Sequence, residues 1–249
     1  MNLRSLIDLI KVFRSLPKVT VHFSNDPEAT RVFEQWSSRH PRLPLFRRKE
    51  VGVALVRLPA KFEDYLAGKE KEYLRRRRNK ALRLGYEFRE FDIDDHLHDV
   101  LEVNGSIDTR QGRAVELRYL DHKAVRAFHG TGGKTYGVFD KQGNLASYTY
   151  APIYGDFAVL SRIFGHGQHL DNGVMYLMVA AVVRELLASR SMAPQLEWLN
   201  YDTWFGANEG LRYFKRNLGF RPYRVTWKIK TERMSAVRPS KNTDGEEKG

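Results

Sequence analysis

Residues 134–164, KTYGVFDKQGNLASYTYAPIYGDFAVLSRIF, contain three apolar segments separated by short turn-forming sequences. The segments 134–140, 145–152 and 157–164 are rich in β-branched and aromatic residues, which favour strands. Gly143 lies in the first turn and Gly155 in the second, and both connections are short enough to join hairpins. This stretch therefore predicts a consecutive antiparallel meander of three strands.

The sequence after the meander alternates between helical and extended patterns. Apolar spacing predicts a helix over 172–189, a strand over 195–201, a helix over 208–218 that ends before Gly219, and a strand over 221–230. Helices combined with a three-strand meander exclude a purely parallel, doubly wound sheet. The expected fold class is α/β, with a mixed and centrally antiparallel sheet flanked by helices.

The sequence before the meander predicts a strand over 51–58 and a heavily charged helix over 62–84, with Gly85 as its C-cap. Residues 1–17 show helical apolar spacing and predict an N-terminal amphipathic helix, which packs on the protein or lies on a membrane surface. Residues 233–249 are rich in polar residues and predict a disordered tail. We expect one domain over 18–232 between these two segments.

Composition excludes several classes of function. The 249 residues include 42 Lys and Arg but 30 Asp and Glu, which gives a formal net charge of +12, and there is no cysteine. Disulfides, thiolate zinc sites and a cysteine nucleophile are therefore excluded. No apolar run approaches the roughly 20 residues of a membrane-spanning helix. Without a secretory signal or cysteine, we expect a cytoplasmic protein with no stable membrane insertion.

The run Arg75–Arg78 lies within the charged helix. Arg77 falls close to the apolar stripe of that helix, and an inward guanidinium needs an anion or carbonyl groups as partners. Arg77 is therefore a candidate substrate-binding residue. The alternatives are a solvated basic face and a nucleic-acid-binding patch.

The segment 161–167, SRIFGHG, connects the third meander strand to the apolar helix. Arg162, Gly165 and Gly167 fit the spacing R-x-x-G-x-G, in which backbone N–H groups can approach a pyrophosphate. We take these three residues and His166 as candidate cofactor-binding residues. An ordinary strand-to-helix loop is the alternative. His166 and His169 have Asp171 as the only nearby carboxylate, so no metal site is predicted.

Two segments carry a resemblance to a known superfamily. The order of elements over 134–230, with Gly219-Phe220 at the start of the last strand, resembles the GNAT acyltransferase fold. The segment from Phe62-Glu63-Asp64-Tyr65-Leu66 through Arg75–Arg78 to Gly85 resembles the basic helix of the Fem-type (FemAB-like) branch. That branch includes peptidoglycan-bridge aminoacyltransferases and a related single-domain acetyltransferase group. The resemblance covers roughly residues 50–230.

The resemblance implies transfer of an acyl group to an amine. Common acetyltransferases of this superfamily often place a general-acid tyrosine four positions before the final glycine. This sequence has Lys215 there, as in the Fem-type pattern. Lys215 would neutralise developing charge or hold a substrate phosphate, and Asp202 would accept a proton or act as an N-cap for the next helix.

The remaining expectations concern the oxyanion and the acceptor. Strands 157–164 and 195–201 would separate at their ends and expose N–H groups for the tetrahedral oxyanion. Arg110 and Arg113, in a polar loop, would contact the acceptor, although such a loop can equally be a mobile surface segment.

Three functions fit these features. The first is an N-acyltransferase that uses acetyl-CoA or another acyl-CoA as co-substrate. The second is a Fem-like aminoacyltransferase that uses aminoacyl-tRNA. The third is a non-catalytic module that binds nucleic acid or an anionic membrane. The expected acceptor is a small-molecule or lipid-linked amine, and a lipid-linked acceptor would place the protein at the inner face of the membrane.

Overall fold

A computed structural model describes residues 13–41, 43–110, 113–127 and 133–230. The strands are β1 (Lys18–Phe23), β2 (Arg39–His40), β3 (Leu43–Arg47), β4 (Val51–Arg57), β5 (Glu87–Glu90), β6 (Thr109–Arg110), β7 (Arg113–Ala114), β8 (Gly133–Phe139), β9 (Leu145–Pro152), β10 (Phe157–Val159), β11 (Ser161–Gly165), β12 (Trp198–Thr203) and β13 (Arg221–Ile229). The helices are α1 (Pro27–Ser37), α2 (Phe62–Leu66), α3 (Glu72–Arg83), α4 (Leu97–Gly105), α5 (His122–Ala127), α6 (Val174–Ala188) and α7 (Glu209–Asn217).

The described strands form two main sheets, and one continuous segment, residues 157–165, contributes β10 to the first sheet and β11 to the second. The first sheet has the order β1-β13-β4-β12-β10, and the second has the order β11-β9-β8-β5. The pairs β1–β13 and β10–β12 are parallel, whereas the other pairs of these sheets are antiparallel. The predicted α/β fold class is confirmed, because the strands pair in both parallel and antiparallel directions and helices flank the sheets.

The predicted meander is present as β8, β9 and the segment 157–165. All eight residues of β9 are buried, as expected for a strand covered on both faces. The β8–β9 turn is closed by Asp140, whose side chain accepts N–H bonds from Gln142 and Asn144. Gly143 has a φ of 87°, a conformation that glycine adopts without steric cost.

Helix α6 forms the centre of the core. Ten of its 15 residues are buried, so the helix is apolar around most of its circumference. It packs against β8 and β9 on one side and against α3 on another. Tyr176 of α6 also meets Phe214 of α7, with ring centroids 4.8 Å apart. This arrangement fixes α3 and α7 relative to the sheet.

The single helix predicted over 62–84 is wrong, because the chain breaks it at Gly68. This residue has a φ of 88° and separates α2 from a 3₁₀ turn at Lys69–Lys71 and from α3. Arg75 caps the break, since its Nη1 donates to the carbonyl oxygens of Leu66 (2.5 Å) and Gly68 (2.8 Å). A positive φ is incompatible with a continuous right-handed helix.

The N-cap of α7 is Asn208. Its side-chain oxygen accepts a hydrogen bond from the N–H of Leu211 at 2.9 Å. The N-cap interpretation of Asp202 is therefore wrong, because Asp202 lies within β12, seven residues before α7 begins.

Two predicted terminal segments fall largely outside the described residues. Residues 13–15 are helical and Leu16 is buried, but residues 1–12 of the predicted helix over 1–17 are outside the described ranges. The predicted tail over 233–249 also lies outside them. Within the part of the chain that the structure describes, no helix is long and apolar enough to cross a membrane.

Candidate active site

The two main sheets separate where β10 gives way to β11. Strands β10 and β12 are paired as far as Val159 and Asn200, and the Leu160 N–H then donates to the Asn200 carbonyl at 2.9 Å. Beyond this bond the chain turns away and β11 pairs with β9 instead. The ends of β11 and β12 therefore have no ladder between them, and a cleft opens at this point.

Each of the two separating strands carries a bulge with an unusual backbone conformation. The register of β11 against β9 shifts between Ser161 and Phe164, and Arg162 has a φ of 51°. The register of β12 against β4 shifts between Asn200 and Thr203, and Asp202 has a φ of 52°. Non-glycine residues in this region cost on the order of 1–3 kcal/mol each and tend to occur at functional sites.

The cleft has a volume of about 870 Å³. It is bounded by the strand ends, by the segment that contains β6 and β7, and by the loop before α7. Its lining residues are Trp36, Lys49, Ile107, Thr109, Arg110, Ala114, Val115, Glu116, Tyr119, Val159, Leu160, Ser161, Arg162, Ile163, Phe164, Asn200, Tyr201, Asp202, Gly206, Ala207 and Asn208. The volume falls within the usual range for a small-molecule site.

Asp202 is an accessible carboxylate of this cleft. Its side chain is 62% exposed and forms an ion pair with Lys49, which also lines the cleft. The Asp202 N–H donates to the side-chain oxygen of buried Asn200 at 3.3 Å. The carboxylate is thus held at the end of β12 and remains open to solvent and to a ligand.

Lys215 lies behind the cleft wall. It is 1% exposed, its Nζ donates to the Thr203 carbonyl at 2.8 Å, and the same atom is 4.5 Å from the Tyr201 ring centroid. Burial lowers the pKa of Lys215 to about 8, with nearby Asp202 acting against this shift and Lys49 reinforcing it. Lys215 does not line the cleft in this conformation, and its hydrogen bond to the Thr203 carbonyl joins α7 to the backbone of β12.

Arg162 and Tyr119 meet inside the cleft. Arg162 Nη1 donates to the Tyr119 hydroxyl at 3.0 Å, and the guanidinium carbon lies 5.4 Å from the centroid of the same ring. Tyr119 follows a polar segment, where sequence analysis found no signal for a site residue. The aromatic residue nevertheless positions one of the predicted arginines.

Arg110 occupies the neighbouring part of the cleft. Its Nη1 and Nη2 donate to the carbonyl oxygens of Gly165 (3.2 Å) and Val103 (2.6 Å), and the guanidinium carbon is 4.8 Å from the Phe164 ring centroid. Burial lowers the pKa of Arg110. Arg113 pairs with Arg110 in the antiparallel β6–β7 ladder, so part of the predicted polar loop forms two short paired strands.

The glycine-containing segment is closed by its own hydrogen bonds. The N–H of His166 donates to the Ala146 carbonyl (2.9 Å), that of Gly167 to the Ser106 hydroxyl (3.0 Å) and that of His169 to the His166 carbonyl (3.0 Å). Gly165 is buried against Met175 and Leu170. Gly165, His166 and Gly167 do not line the cleft, and the N–H groups of residues 166, 167 and 169 already have partners.

Arg77 lies at the contact between α3 and the start of α6. Its Nη2 donates to the Leu170 carbonyl at 3.1 Å, and its own carbonyl oxygen faces Gly173, where a Cβ atom would overlap it. Lys80 adds a bond to the Asp171 carbonyl at 2.8 Å. The basic helix therefore covers the N-terminal end of α6, and Arg77 does not line the cleft.

A buried polar connection links the sheet to the cleft and has no signal in the sequence. Asn104 is fully buried and accepts a hydrogen bond from the Tyr148 hydroxyl at 2.7 Å. Its Nδ2 donates to the Tyr119 carbonyl at 2.8 Å. A lone asparagine in an apolar helical pattern gives no signal for this role, because its partners are distant in sequence.

One group of described residues could hold a metal ion, namely His98, Asp99 and Glu102 on α4. None of the three lines the cleft. Asp99 is already engaged with His96, whose Nδ1 lies 2.8 Å from its carboxylate.

Comparisons with known proteins inform the fold. No model of a protein family matches the chain, and a comparison with curated proteins also gives no match. FemX matches with 10% sequence identity and a TM-score of 0.51 over 69% of this chain and 59% of its own. A tandem GNAT protein from the clavulanic acid biosynthesis pathway has 17% identity and a TM-score of 0.46, over 84% of this chain and 59% of its own. L-PGS from Bacillus licheniformis has 14% identity and a TM-score of 0.47, over 70% of this chain and 60% of its own.

The likeness to FemX shows that the fold is GNAT-like. The chain spans about three fifths of the length of each of these solved structures. At such low identity the likeness extends to the fold and not to any activity.

Proposed function

We propose that this chain is an acyltransferase of the GNAT-like fold that transfers an acyl or aminoacyl group to an amine bound in the cleft. The observation that carries the proposal is the separation of β11 from β12, which opens the cleft between two bulged strands. An extended acyl donor can enter such an opening, and backbone groups at the bulge of β11 can face an oxyanion, whereas the Asp202 N–H at the bulge of β12 already donates to Asn200.

In the proposed reaction the amine nitrogen forms a bond to the donor carbonyl carbon. A tetrahedral oxyanion develops, the bond from that carbon to the carrier's sulfur or oxygen breaks, and the proton lost by the amine ends on the leaving group. Asp202 is the proposed proton acceptor, because its carboxylate is exposed in the cleft. Lys215 has a positioning role, because it holds the Thr203 carbonyl next to Asp202.

The glycine-containing segment favours an aminoacyl ester over CoA as the donor. The pyrophosphate site predicted at this segment depends on free N–H groups near a helix N-terminus. The N–H groups of His166, Gly167 and His169 are engaged within the chain, and α3 covers the start of α6. A carrier such as tRNA would instead bind through the basic surface of a chain with a net charge of +12. This donor agrees with the Fem-type resemblance.

Titration of the full chain tests the donor class. The ligands are acetyl-CoA, free CoA, aminoacylated tRNA and uncharged tRNA, each at low and physiological salt, with binding followed by calorimetry and thermal stability. We expect aminoacylated tRNA to bind with strong salt dependence and CoA to give no stabilisation. A one-to-one acetyl-CoA isotherm that weakens in Arg162→Ala would instead assign acyl-CoA as the donor.

A transfer assay then tests catalysis. Donors labelled in the acyl group are incubated with a panel of amines, and the amide product is separated from hydrolysed acid. Asp202→Asn is the variant of interest, and Asp171→Asn, outside the cleft, is its control. Donor binding without amide formation on any amine would overturn the proposed reaction and leave a binding module.

A further inference from the structure

We propose that the acceptor amine also carries an oxyanion, a carboxylate or a phosphate, and that the guanidinium group of Arg110 binds this group in the cleft. This inference rests on the proposed function, because it assigns the substrate class of the same site.

The hydrogen bonds of Arg110 leave donors for a ligand. Each terminal nitrogen of a guanidinium carries two hydrogens. Nη1 and Nη2 each make one bond, to the carbonyl oxygens of Gly165 and Val103, and Nε has no partner in the described structure. One N–H on each terminal nitrogen therefore remains for an anion, and the residue lines an open cleft.

Arg190, outside the cleft, is held by a larger set of carbonyl bonds. Its Nε, Nη1 and Nη2 all donate to main-chain carbonyl oxygens, those of Leu196 (2.9 Å), Pro59 (2.6 Å) and Leu58 (3.0 Å). Arg190 fastens two segments together with every nitrogen atom in use. Arg110 is held by the same kind of carbonyl bonds, but through Nη1 and Nη2 alone, and it lines the cleft.

The charge of Arg110 is not balanced by the protein groups that hold it. Carbonyl oxygens are neutral, and the Phe164 ring below the guanidinium contributes a modest cation–π attraction. The two carboxylates that line the cleft pair with other cations, Asp202 with Lys49 and Glu116 with Arg118. A partly buried cation of this kind is stabilised most by an anionic ligand.

A second arginine and a second aromatic ring lie next to Arg110 and Phe164 in the cleft. The rings of Phe164 and Tyr119 are 5.1 Å apart, and the Arg162 guanidinium lies over the second ring as Arg110 lies over the first. Two guanidinium groups thus flank one aromatic pair within the cleft. Arginine forks match carboxylate and phosphate groups geometrically, which favours an oxyanion over a simple halide ion.

The test measures binding of three small amines to the full chain without any donor. The probes are O-phosphoethanolamine, β-alanine and ethylamine, which offer an amine with a phosphate, with a carboxylate and with neither. Calorimetry at constant ionic strength is combined with NMR of the arginine side-chain N–H groups. We expect saturable binding of at least one oxyanion probe, no saturable binding of ethylamine, and a shift of the Arg110 signal.

Matched variants complete the test. Arg110→Gln should lower the affinity of the chain for the oxyanion probe by about tenfold or more. Arg110→Lys retains the charge and should fall between wild type and Arg110→Gln, which covers the case in which the glutamine variant does not fold. Arg89→Gln is the control, because Arg89 also lies over a ring, that of Phe139 at 3.8 Å, and does not line the cleft.

The outcomes separate this inference from the proposed function. Equal affinity in wild type and the Arg110 variants, or equal affinity for ethylamine and the oxyanion probes, would overturn the oxyanion site. Probe binding that depends on Arg110 in a protein that transfers no acyl group would overturn the proposed reaction and leave the site in place. The phosphate and carboxylate probes show which oxyanion the site prefers.

Discussion

Arg162 and Asp202 line one cleft from two strands that separate, and both hold a left-handed backbone, with φ values of 51° and 52°. Among the described residues they are the only non-glycine positions with a positive φ. The chain thus places its two backbone strains on either side of one opening. Each of these two backbone conformations lies within a register shift of its strand. The shift changes the direction of the Arg162 or Asp202 side chain, and both residues line the cleft.

The carboxylate of Asp202 should matter more for catalysis than for stability. Asparagine tolerates the left-handed region, so Asp202→Asn should change the free energy of unfolding by less than about 1 kcal/mol, since an exposed ion pair contributes little. Amide formation should fall at least about tenfold if the carboxylate accepts the proton. Lys49→Gln removes the same ion pair from the other side and should retain activity. Equal losses in both variants would assign the effect to the ion pair.

The buried lysines predict stability that rises with pH. Burial lowers the folded-state pKa of Lys215 and of Lys71 to about 8, whereas an unfolded lysine titrates near 10.4. Between these values the unfolded state binds more protons, so the free energy of unfolding increases with pH. From pH 8 to 9.5 we expect a gain of about 1–2 kcal/mol per lysine, measured by urea unfolding.

Substitution by methionine provides the control for this pH effect. Lys215→Met and Lys71→Met should each flatten part of the rise, because each removes one titrating group. The measurement stops below pH 10, since burial raises the pKa of tyrosines such as Tyr65 and Tyr201 and reverses the slope above that value. A flat profile in wild type would contradict the burial of both charges.

The contact of α3 on α6 predicts unequal costs for two glycine substitutions. Gly173 and Gly143 have the same φ of 87°, so alanine strains the backbone equally at both. Gly143 has open space around it, whereas a Cβ at Gly173 overlaps the Arg77 carbonyl. Gly143→Ala should cost about 1 kcal/mol, and Gly173→Ala should cost at least about 2 kcal/mol more. Equal costs in urea unfolding would show that α3 can move away.

The Asn104 connection predicts energetic coupling between Asn104 and Tyr148. Tyr148→Phe leaves the buried Asn104 oxygen without its donor, and Asn104→Ala removes the bond to the Tyr119 carbonyl as well. The two changes together should cost about 1 kcal/mol less than the sum of the single changes. Asn104→Ala should also increase proteolytic cleavage between residues 106 and 120. Additive costs would mean that the groups act independently.

Much of the fold follows from local patterns. The meander is specified by alternating apolar segments with Gly143 in a turn, and α6 is specified by a long apolar run before a strand. Both patterns depend only on neighbouring residues, and the structure contains the strands and the helix that they predict. The break at Gly68 is not apparent from the sequence, because the charged helical pattern continues on both sides of it and residue spacing does not reveal a positive φ.

The cleft was less predictable for a physical reason. The sequence predicts residues 157–164 as one strand, and the polar pair Ser161-Arg162 within it does not by itself indicate a change of partner after Leu160. That change depends on the register of β12 and β9, which are far apart in sequence. The sequence predicts Arg162 and Asp202 as site residues from their positions at strand ends and Arg110 from its place in a polar loop, and all three line the cleft. The predicted residues that do not line it include Lys215, Arg77, Gly165, His166 and Gly167.

The position of β13 has a consequence for synthesis of the chain. β1 leaves the ribosome before the other described strands, yet its ladder partner β13 ends at residue 229, about two hundred residues later. The strands of the second sheet all lie between residues 87 and 165, so that sheet can assemble during translation. Until β13 is synthesised, the first sheet is incomplete, because β13 lies between β1 and β4. The edge of β4 that β13 later covers is unpaired during that time. An unpaired strand edge can pair with a strand of another chain, so this topology requires that the edge be shielded during synthesis.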